Sequence, residues 1–326
     1  MNTTIALILA AGKGTRMKST LLKVAHKVGE IPMINRVLKT TQNCGMSKTI
    51  LIGGHQIELL KDITQSFNAS YVLQKEQLGT GHAVMQAIPE LEKIHKENPK
   101  MDLIILAGDC PLITEDTLEK LHAHHVETNA SASILSTNMK DPAQYGRILR
   151  NPDQSVIGIR EAKDCTEDQL TITEINSGIY CVSVEKLLQT LPKLTNTNKQ
   201  NEYYLTDIFE ILKEEGSIIS CYCTENSDEV IGINSQDDLK NVTMIVQQNH
   251  LKKLQSDGIK IMDTNSTFIA ESVVFKGKSI IHPFTTIEAH SVIGNHTEIG
   301  KNSHLHNVTI EDNQKVPPFT TLISDQ

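Results

Sequence analysis

From Ile269 onward, apolar side chains recur every six residues: Ile269, Phe275, Ile281, Ile287, Ile293, Ile299 and Leu305. Seven positions in strict register are hard to obtain by chance, and hexapeptide repeats build parallel β-helices, in which short strands stack coil upon coil. Gly294 and Gly300 directly follow two of the repeat positions. Roughly three coils fit before Pro317-Pro318 stops the pattern. The ends of such a stack need capping or self-association. Histidines 282, 290, 296, 304 and 306 fall between the repeat positions and are expected to be solvated side chains rather than a metal or pH-sensing cluster.

The preceding part of the chain is patterned differently. Short apolar runs at Ile5–Ala10, Thr49–Gly53, Ser70–Leu73 and Leu103–Ala107 alternate with amphipathic stretches near Ile31–Gln42, Ile57–Phe67 and Gly81–Leu91. This rhythm predicts right-handed crossovers and a parallel sheet covered by helices on both faces. The expected fold class is therefore α/β: a Rossmann-like domain with a mostly parallel sheet over residues 1–228, a linker with a helical arm at 229–262, and a short β-helix at 263–326. Leu239, Val242 and Val246 give that arm, predicted over 235–255, one apolar face.

A length of 326 residues accommodates two domains. The net charge of −8 argues against nucleic acid or an anionic membrane as the main partner, and an aromatic content of 4% without tryptophan disfavours a single-strand stacking platform. No apolar run reaches the roughly 20 residues that span a bilayer. The N-terminal apolar stretch runs straight into a glycine loop and reads as a strand rather than a leader. The six cysteines form no Cys-x-x-Cys pair, so reduced, mostly buried thiols of a cytoplasmic protein are expected.

The glycine loop is Leu9-Ala10-Ala11-Gly12-Lys13-Gly14-Thr15-Arg16-Met17. Small residues after a buried strand let backbone approach a ligand, and their exposed N–H groups form a nest for phosphate oxygens. Lys13 and Arg16 add full charges. The loop lacks the Gly-Lys-Ser/Thr ending of a P-loop and the third glycine of the dinucleotide fingerprint. Two further segments fall at the carboxyl edge of the sheet, where ligands of such sheets bind. One is Gln74-Lys75-Glu76-Gln77-Leu78-Gly79-Thr80-Gly81-His82-Ala83, whose glutamine amides can pair with a base edge. The other is Ala107-Gly108-Asp109-Cys110-Pro111, which places a carboxylate, a hard Mg²⁺ ligand, beside the phosphate pocket.

The string Leu-x-x-Gly-x-Gly-Thr-Arg-Met resembles the opening motif of the sugar-1-phosphate nucleotidylyltransferases. The Gln-Leu-Gly-Thr-Gly-His-Ala loop narrows the resemblance to the N-acetylglucosamine-1-phosphate uridylyltransferases, the uridylyltransferase half of bifunctional acetyltransferase/uridylyltransferases. It covers essentially residues 4–310 and implies a left-handed β-helix. It also implies triphosphate contacts from Leu9, Ala10, Ala11, Gly12 and Lys13, charge balance by Arg16 and Lys23, and a uridine site at Gln74, Gly79 and Thr80. Gly108 and Asp109 match the family's Gly-Asp element, and Mg²⁺ would sit on Asp109 and Asn234. On the sugar side, Gly146 of Tyr145-Gly146-Arg147-Ile148 offers backbone to the acetamido sugar, Glu161 accepts a sugar hydroxyl and Asn176 supplies a neighbouring amide. The Asn201-Glu202-Tyr203-Tyr204-Leu205-Thr206-Asp207 segment is implied to wall the sugar pocket. Two departures stand out: Leu22 precedes Lys23 where proline is usual, and Ala107 precedes Gly108 where tyrosine is common.

The resemblance implies Mg²⁺-dependent uridylyl transfer from UTP to N-acetylglucosamine-1-phosphate in amino-sugar nucleotide synthesis for the cell wall. The later coils that hold acetyl-CoA in relatives have no counterpart before residue 326, so acetyl transfer is expected to be absent. A homotrimer through the β-helix is expected by the same resemblance, with no nucleic-acid or membrane partner. Two other readings stay open: a thymidylyl- or guanylyltransferase, which shares the first loop, and a scaffold protein with a dead site.

Overall fold

The computed structural model describes residues 4–12 and 14–324. It divides into two units, Met1–His26 with Pro32–Ser235, and Lys27–Ile31 with Gln236–Gln326. Lys13 lies outside the described residues.

In the first unit the apolar runs form one nine-stranded sheet. Its strands are β1 (Thr4–Ala10), β2 (Thr49–Gly53), β3 (Ala69–Leu73), β4 (Asp102–Ala107), β5 (Ala132–Asn138), β6 (Arg147–Arg150), β7 (Val156–Arg160), β8 (Glu174–Ser183) and β9 (Ile219–Thr224). The spatial order is β9-β5-β8-β4-β1-β2-β3, and β6 and β7 form a hairpin attached to β8. The four strands read from the sequence make the parallel half, β4-β1-β2-β3. Continuous Ile/Leu runs suit these positions, because the central strands are buried on both faces. β8 runs antiparallel to both β4 and β5, and β9 returns parallel to β5.

Register decides where the chemistry lies. Leu9 pairs with Ile52 on one side and Ala107 on the other, so the glycine loop and the Gly108-Asp109 turn leave the sheet side by side at its carboxyl edge.

The helices over the sheet are shorter than the apolar pattern suggests. The first, α1, spans Met33–Asn43, because Ile31–Pro32 is drawn into a short strand pair with Lys27–Val28. The next, α2, spans Ile57–Ile63 and ends where the Thr64 hydroxyl donates to the Leu60 carbonyl at 2.6 Å. The expected helix over 81–91 is two helices, α3 (Thr80–Met85) and α4 (Ile88–Glu97), with Pro89 in the first turn of the second. Further on, α5 (Glu115–Glu127) is capped by the Thr114 hydroxyl, which accepts from Thr117 N at 3.3 Å. A further helix, α6, spans Asp207–Glu214.

The second unit is a three-sided stack of short parallel strands, the architecture of a left-handed β-helix. One side holds Lys260–Ile261, Ser279–Ile281, Thr297–Ile299 and Lys315–Val316. A second holds Phe268–Ile269, Thr286–Glu288, His304–His306 and Thr321–Ile323, and the third Val274–Phe275, Val292–Ile293 and Thr309–Ile310. Ile281, Ile287, Ile293, Ile299 and Leu305 are fully buried in the stack. Ile287 pairs with Leu305, an 18-residue coil, but Ile293 pairs with Ile310, a 17-residue coil. The six-residue register therefore slips once after Leu305, while the inward wall continues through Ile310 and Val316. Corners are turned by residues with positive φ, among them Phe284, His296, Asn302, Asn313 and Phe319. A Cβ on Gly294 would stand 2.5 Å from the backbone of Glu311 and Asp312 in the next coil. The helical arm, Gln236–Ser256, buries Leu251 and Leu254 against Ile259 and Ile261 at the open start of this core. Val242 of its predicted stripe is also buried.

The repeat histidines lie outside the apolar wall, but three find carboxylates rather than being simply solvated: His282 pairs with Glu298 at 3.0 Å, and His304 and His306 both reach Glu288, at 2.7 and 3.7 Å. No cysteine is in a disulfide, and Cys44, Cys110 and Cys181 are buried.

Candidate active site

A cavity of about 310 Å³ opens at the carboxyl edge of β1 and β4. Its lining brings together Leu9, Ala10, Ala11, Gly12, Lys23, Gln74, Gly79, Thr80 and Asp109. A Cβ on Gly12 would meet nothing within 4 Å, so this backbone borders open space rather than a packed neighbour. Gly14 is different. Its φ is +61°, and an added Cβ would lie 2.8 Å from the Lys23 Cβ. The loop is thus closed down onto the base of the lysine. Arg16 stands exposed on the short 3₁₀ turn Thr15–Met17, outside the lining.

Leu22, at the position where the resemblance implies proline, has φ −49° and ψ 129°, close to a proline conformation, and its side chain is buried. The departure therefore leaves the backbone course intact at this point. Lys23 Nζ forms an ion pair with Asp109 Oδ2 and donates to Asn234 Oδ1 at 2.7 Å. Asn234 is brought in by its own loop: Ile233 N donates to Asp109 O at 3.0 Å, and Asn234 Nδ2 donates to Gly232 O at 3.1 Å. Three residues from distant parts of the sequence thus meet on one cation. A carboxylate and an amide oxygen already sharing a positive partner form a hard-oxygen donor pair of the kind a divalent cation takes. Gly108 serves packing: its N–H donates to Leu9 O at 2.9 Å, and an added Cβ would lie 3.0 Å from Leu9 O. Ala107 lines the cavity beside it.

The glutamine loop is held by the segment that follows the Asn/Lys-rich linker. Gly81 N donates to Tyr203 O, and Tyr203 N to Leu78 O, both at 2.8 Å. The Thr80 hydroxyl accepts from Leu205 N at 3.2 Å. Gly79 has φ +112°, and a Cβ there would stand 2.5 Å from Tyr203 O. Gln74 is buried and donates from Nε2 to Gly79 O at 3.2 Å, with His82 Nδ1 at 3.1 Å. In this orientation its carbonyl oxygen is the edge left for a ligand.

The remaining candidates form a second group. Arg147 pairs with Arg160 across the β6–β7 hairpin, so Gly146 and Glu161 lie at the same end of it. Asn176 N donates to Gly146 O at 2.9 Å. The Asn176 amide is spent on its surroundings, with Nδ2 donating to Tyr180 Oη at 2.8 Å and Oδ1 accepting from Gly178 N at 3.1 Å. Glu161 Oε1 accepts from the Thr206 hydroxyl at 3.2 Å. Burial pushes the Glu161 carboxyl above its ordinary range. Asp207 is pushed up to about 6, by burial first and then by Glu210 and Glu161. Since Thr206 bonds to Glu161 and Leu205 to Thr80, one short segment ties both groups together.

Gln77, Val24, Ala83 and Glu202 also line the cavity; of these, Val24 and Ala83 are apolar types that carry no chemical signal in the sequence. Tyr145 Oη accepts from Gly232 N at 3.2 Å, linking the Tyr-Gly-Arg-Ile segment to the Asn234 loop. Arg147, buried, bonds to the carbonyls of Tyr145, Ala143 and Leu170 and shapes that loop rather than facing a ligand.

Residues 6–202 match the family model of the MobA-like NTP transferase domain. The chain belongs to this family. Within the NTP transferases it is similar to the bifunctional protein GlmU of Geobacillus thermodenitrificans (strain NG80-2), with 42% identity over 305 residues, 94% of this chain and 65% of the relative. GlmU of Alkaliphilus oremlandii (strain OhILAs) is 39% identical over 98% of this chain and 68% of its own length. GlmU of Latilactobacillus sakei subsp. sakei (strain 23K) is 39% identical over 97% and 67% respectively. The chain thus spans about two thirds of the length of these curated relatives. No helix among the described residues is long and apolar enough to cross a membrane.

Proposed function

We propose that the chain transfers a uridylyl group from UTP to N-acetylglucosamine-1-phosphate, giving UDP-N-acetylglucosamine and pyrophosphate. The observation that carries this reading is the meeting of Lys23, Asp109 and Asn234 beside a cavity walled by bare backbone at 9–12 and closed by Gln74. A sugar-phosphate oxygen attacks the α-phosphorus, the bond to the bridging oxygen breaks, and pyrophosphate leaves with the electron pair. The attacking oxygen is already anionic, so no proton has to be removed. The difficulty is holding two polyanions in line, which positioned cations and N–H groups overcome.

The backbone from Leu9 to Gly12 presents N–H groups to the triphosphate, joined by Lys13, while Arg16 and Lys23 balance charge on the transferred group and on pyrophosphate. Asp109 and Asn234 would hold Mg²⁺, whose chemistry there is to neutralise phosphate oxygens. The Gln74 carbonyl suits the N3–H of uracil and repels the bare N3 of cytosine. Gly79 and Thr80 give the base a flat edge. Glu161 accepts a sugar hydroxyl, and Asn176 fixes the Gly146 backbone that faces the acetamido group.

Pyrophosphate release tests the proposal, with UTP, CTP, GTP and dTTP each combined with several sugar-1-phosphates, with and without Mg²⁺. Turnover confined to UTP, N-acetylglucosamine-1-phosphate and Mg²⁺ is expected. Equal turnover with dTTP or GTP, or no release from any pair, overturns it. We also propose a homotrimer through the β-helix, supported by Phe284 and Phe319, 65% and 71% exposed on corners of the stack. Sedimentation as a monomer at micromolar concentration refutes that.

A further inference from the structure

At the amino end of β4, opposite to the cavity, a second polar group is built into the sheet. Asp102 opens β4 and Asp109 lies past its far end, so at about 3.3 Å per residue the two carboxylates are on the order of 20 Å apart. Asp102 Oδ2 lies 3.2 Å from His122 Nε2, and Oδ1 lies 3.6 Å from His125 Nε2. Both histidines project from one side of α5, three positions apart. Cys181 comes from near the carboxyl end of β8, where it pairs with Ile104 of β4. The donor atoms of Asp102, His125 and Cys181 all lie within 4.8 Å of one another.

The surroundings are organised rather than incidental. His125 Nδ1 shares a hydrogen bond of 2.7 Å with Ser133 Oγ, which in turn lies 2.7 Å from Ser220 Oγ. This chain fixes the imidazole so that Nε2 faces the carboxylate and the thiol. Such an outer partner on the far ring nitrogen is characteristic of metal-binding histidines. Cys181 is fully buried, and His125 is 4% exposed, whereas Asp102 and His122 keep 19% and 16% of their side-chain surface. The group is closed at its floor and open at its mouth. Carboxylate–histidine pairing accounts for His122, while the Cys181 thiol at the floor adds a third donor within reach of both Asp102 and His125. A carboxylate, an imidazole and a thiol within one small group are a donor set suited to zinc, with water in the fourth position, and ill-suited to magnesium.

We propose that Asp102, His125 and Cys181 form a binding site for a zinc-class divalent ion, separate from the proposed site of uridylyl transfer. The ion enters past Asp102 and His122 and bonds to the Cys181 sulfur, whose proton passes to solvent. His122 keeps its hydrogen bond to Asp102 Oδ2 and orients the carboxylate beside the ion. The result is a clamp that pins α5 to β4 and β8 without touching the substrates.

The test uses full-length protein stripped with chelator and titrated with Co²⁺ and then Zn²⁺. One equivalent of Co²⁺ is expected to give a near-ultraviolet thiolate charge-transfer band that Zn²⁺ abolishes. Cys181→Ser removes the band, and Ser133→Ala, which reaches no metal, weakens Zn²⁺ binding roughly 10- to 100-fold. Zn²⁺ is expected to raise the wild-type Tm by about 5 °C or more at saturating metal, and not that of Asp102→Asn. Uridylyl transfer with Mg²⁺ stays unchanged in Cys181→Ser. The proposal is overturned if wild type shows no band and no Zn²⁺-dependent Tm rise. It is equally overturned if the band survives Cys181→Ser but is lost in Cys110→Ser, which would place the metal beside Asp109.

Discussion

Replacing Lys23 by methionine keeps most of the alkyl stem and removes the ammonium that Asp109 and Asn234 share. The side chain is only 11% exposed, so solvent cannot substitute for it fully. Two opposite effects are expected. In the absence of substrates the ammonium occupies both oxygens, and a divalent ion must displace it. A charge-assisted hydrogen bond is worth about 1.5–3 kcal/mol, so removing the competitor should tighten divalent binding roughly 10- to 100-fold. During transfer the same ammonium faces phosphate charge, and losing one preorganised donor costs about 3–4 kcal/mol, or 10²–10³ in kcat. Mn²⁺ titration followed by electron paramagnetic resonance, without nucleotide, reads the first effect, and pyrophosphate release reads the second. The reasoning is refuted if Lys23→Met binds Mn²⁺ no more tightly than wild type while kcat is also unchanged. A loss of kcat with weaker Mn²⁺ binding would refute the competition alone.

Arg16→Ala should lower kcat by roughly 10²–10³ while leaving stability within about 0.5 kcal/mol, because the side chain is exposed; a thermal melt beside the kinetics separates the two. Asp207, raised from the ordinary 3.8 to about 6, holds a proton in the folded state that the unfolded chain has lost. Stability should therefore fall as pH rises from about 4 through 6. The full linkage is about 3 kcal/mol, which solvent access to this half-buried group reduces to about 1 kcal/mol. In Asp207→Asn the difference in Tm between pH 4 and pH 8 should shrink, and an undiminished difference would assign the pH dependence elsewhere. Gly294→Ala forces a Cβ into the next coil's backbone and should cost about 3 kcal/mol or more, seen as a lowered denaturation midpoint of the β-helix; a wild-type midpoint would show that the coils part freely.

Much of the architecture was legible because it depends on periodicity. Ile269 to Leu305 announced the β-helix, and the apolar runs before Asp109 announced the parallel half of the sheet. The antiparallel half was harder to read. Its strands, such as Glu174–Ser183, carry asparagine, serine and glycine inside the pairing, so apolar runs do not mark them. Helix ends were misjudged where a side chain competed with the backbone, as at Thr64, or where Pro89 restarted the helix. Around the cavity, lining residues such as Gln74, Gly79 and Thr80 could be singled out because one short string carries them. What no string could reveal was that Lys23 would bond to both Asp109 and Asn234, or that Tyr145 would brace the Asn234 loop. Those are meetings between residues 86 to 211 positions apart. The slip after Leu305 was hidden for a similar reason, since a five-residue corner looks like the end of a repeat.

The backbone bonds joining Leu78 and Gly81 to Tyr203, with Thr80 to Leu205 and Thr206 to Glu161, have a consequence for how such a protein can change. On the proposed reading, the part that would meet the base and the part that would meet the sugar share one seam of main chain. A substitution that widens the sugar side by shifting residues 202–206 must also move the loop that frames the base. Altering sugar preference alone therefore calls for changes on the hairpin side, around Gly146 and Glu161, where the seam ends. Swaps of the glutamine loop between relatives should succeed only when the matching Glu-Tyr-Tyr segment travels with it. On that reading the two recognitions are mechanically one inherited unit, although residues 78–81 and 203–206 lie more than a hundred positions apart in the chain.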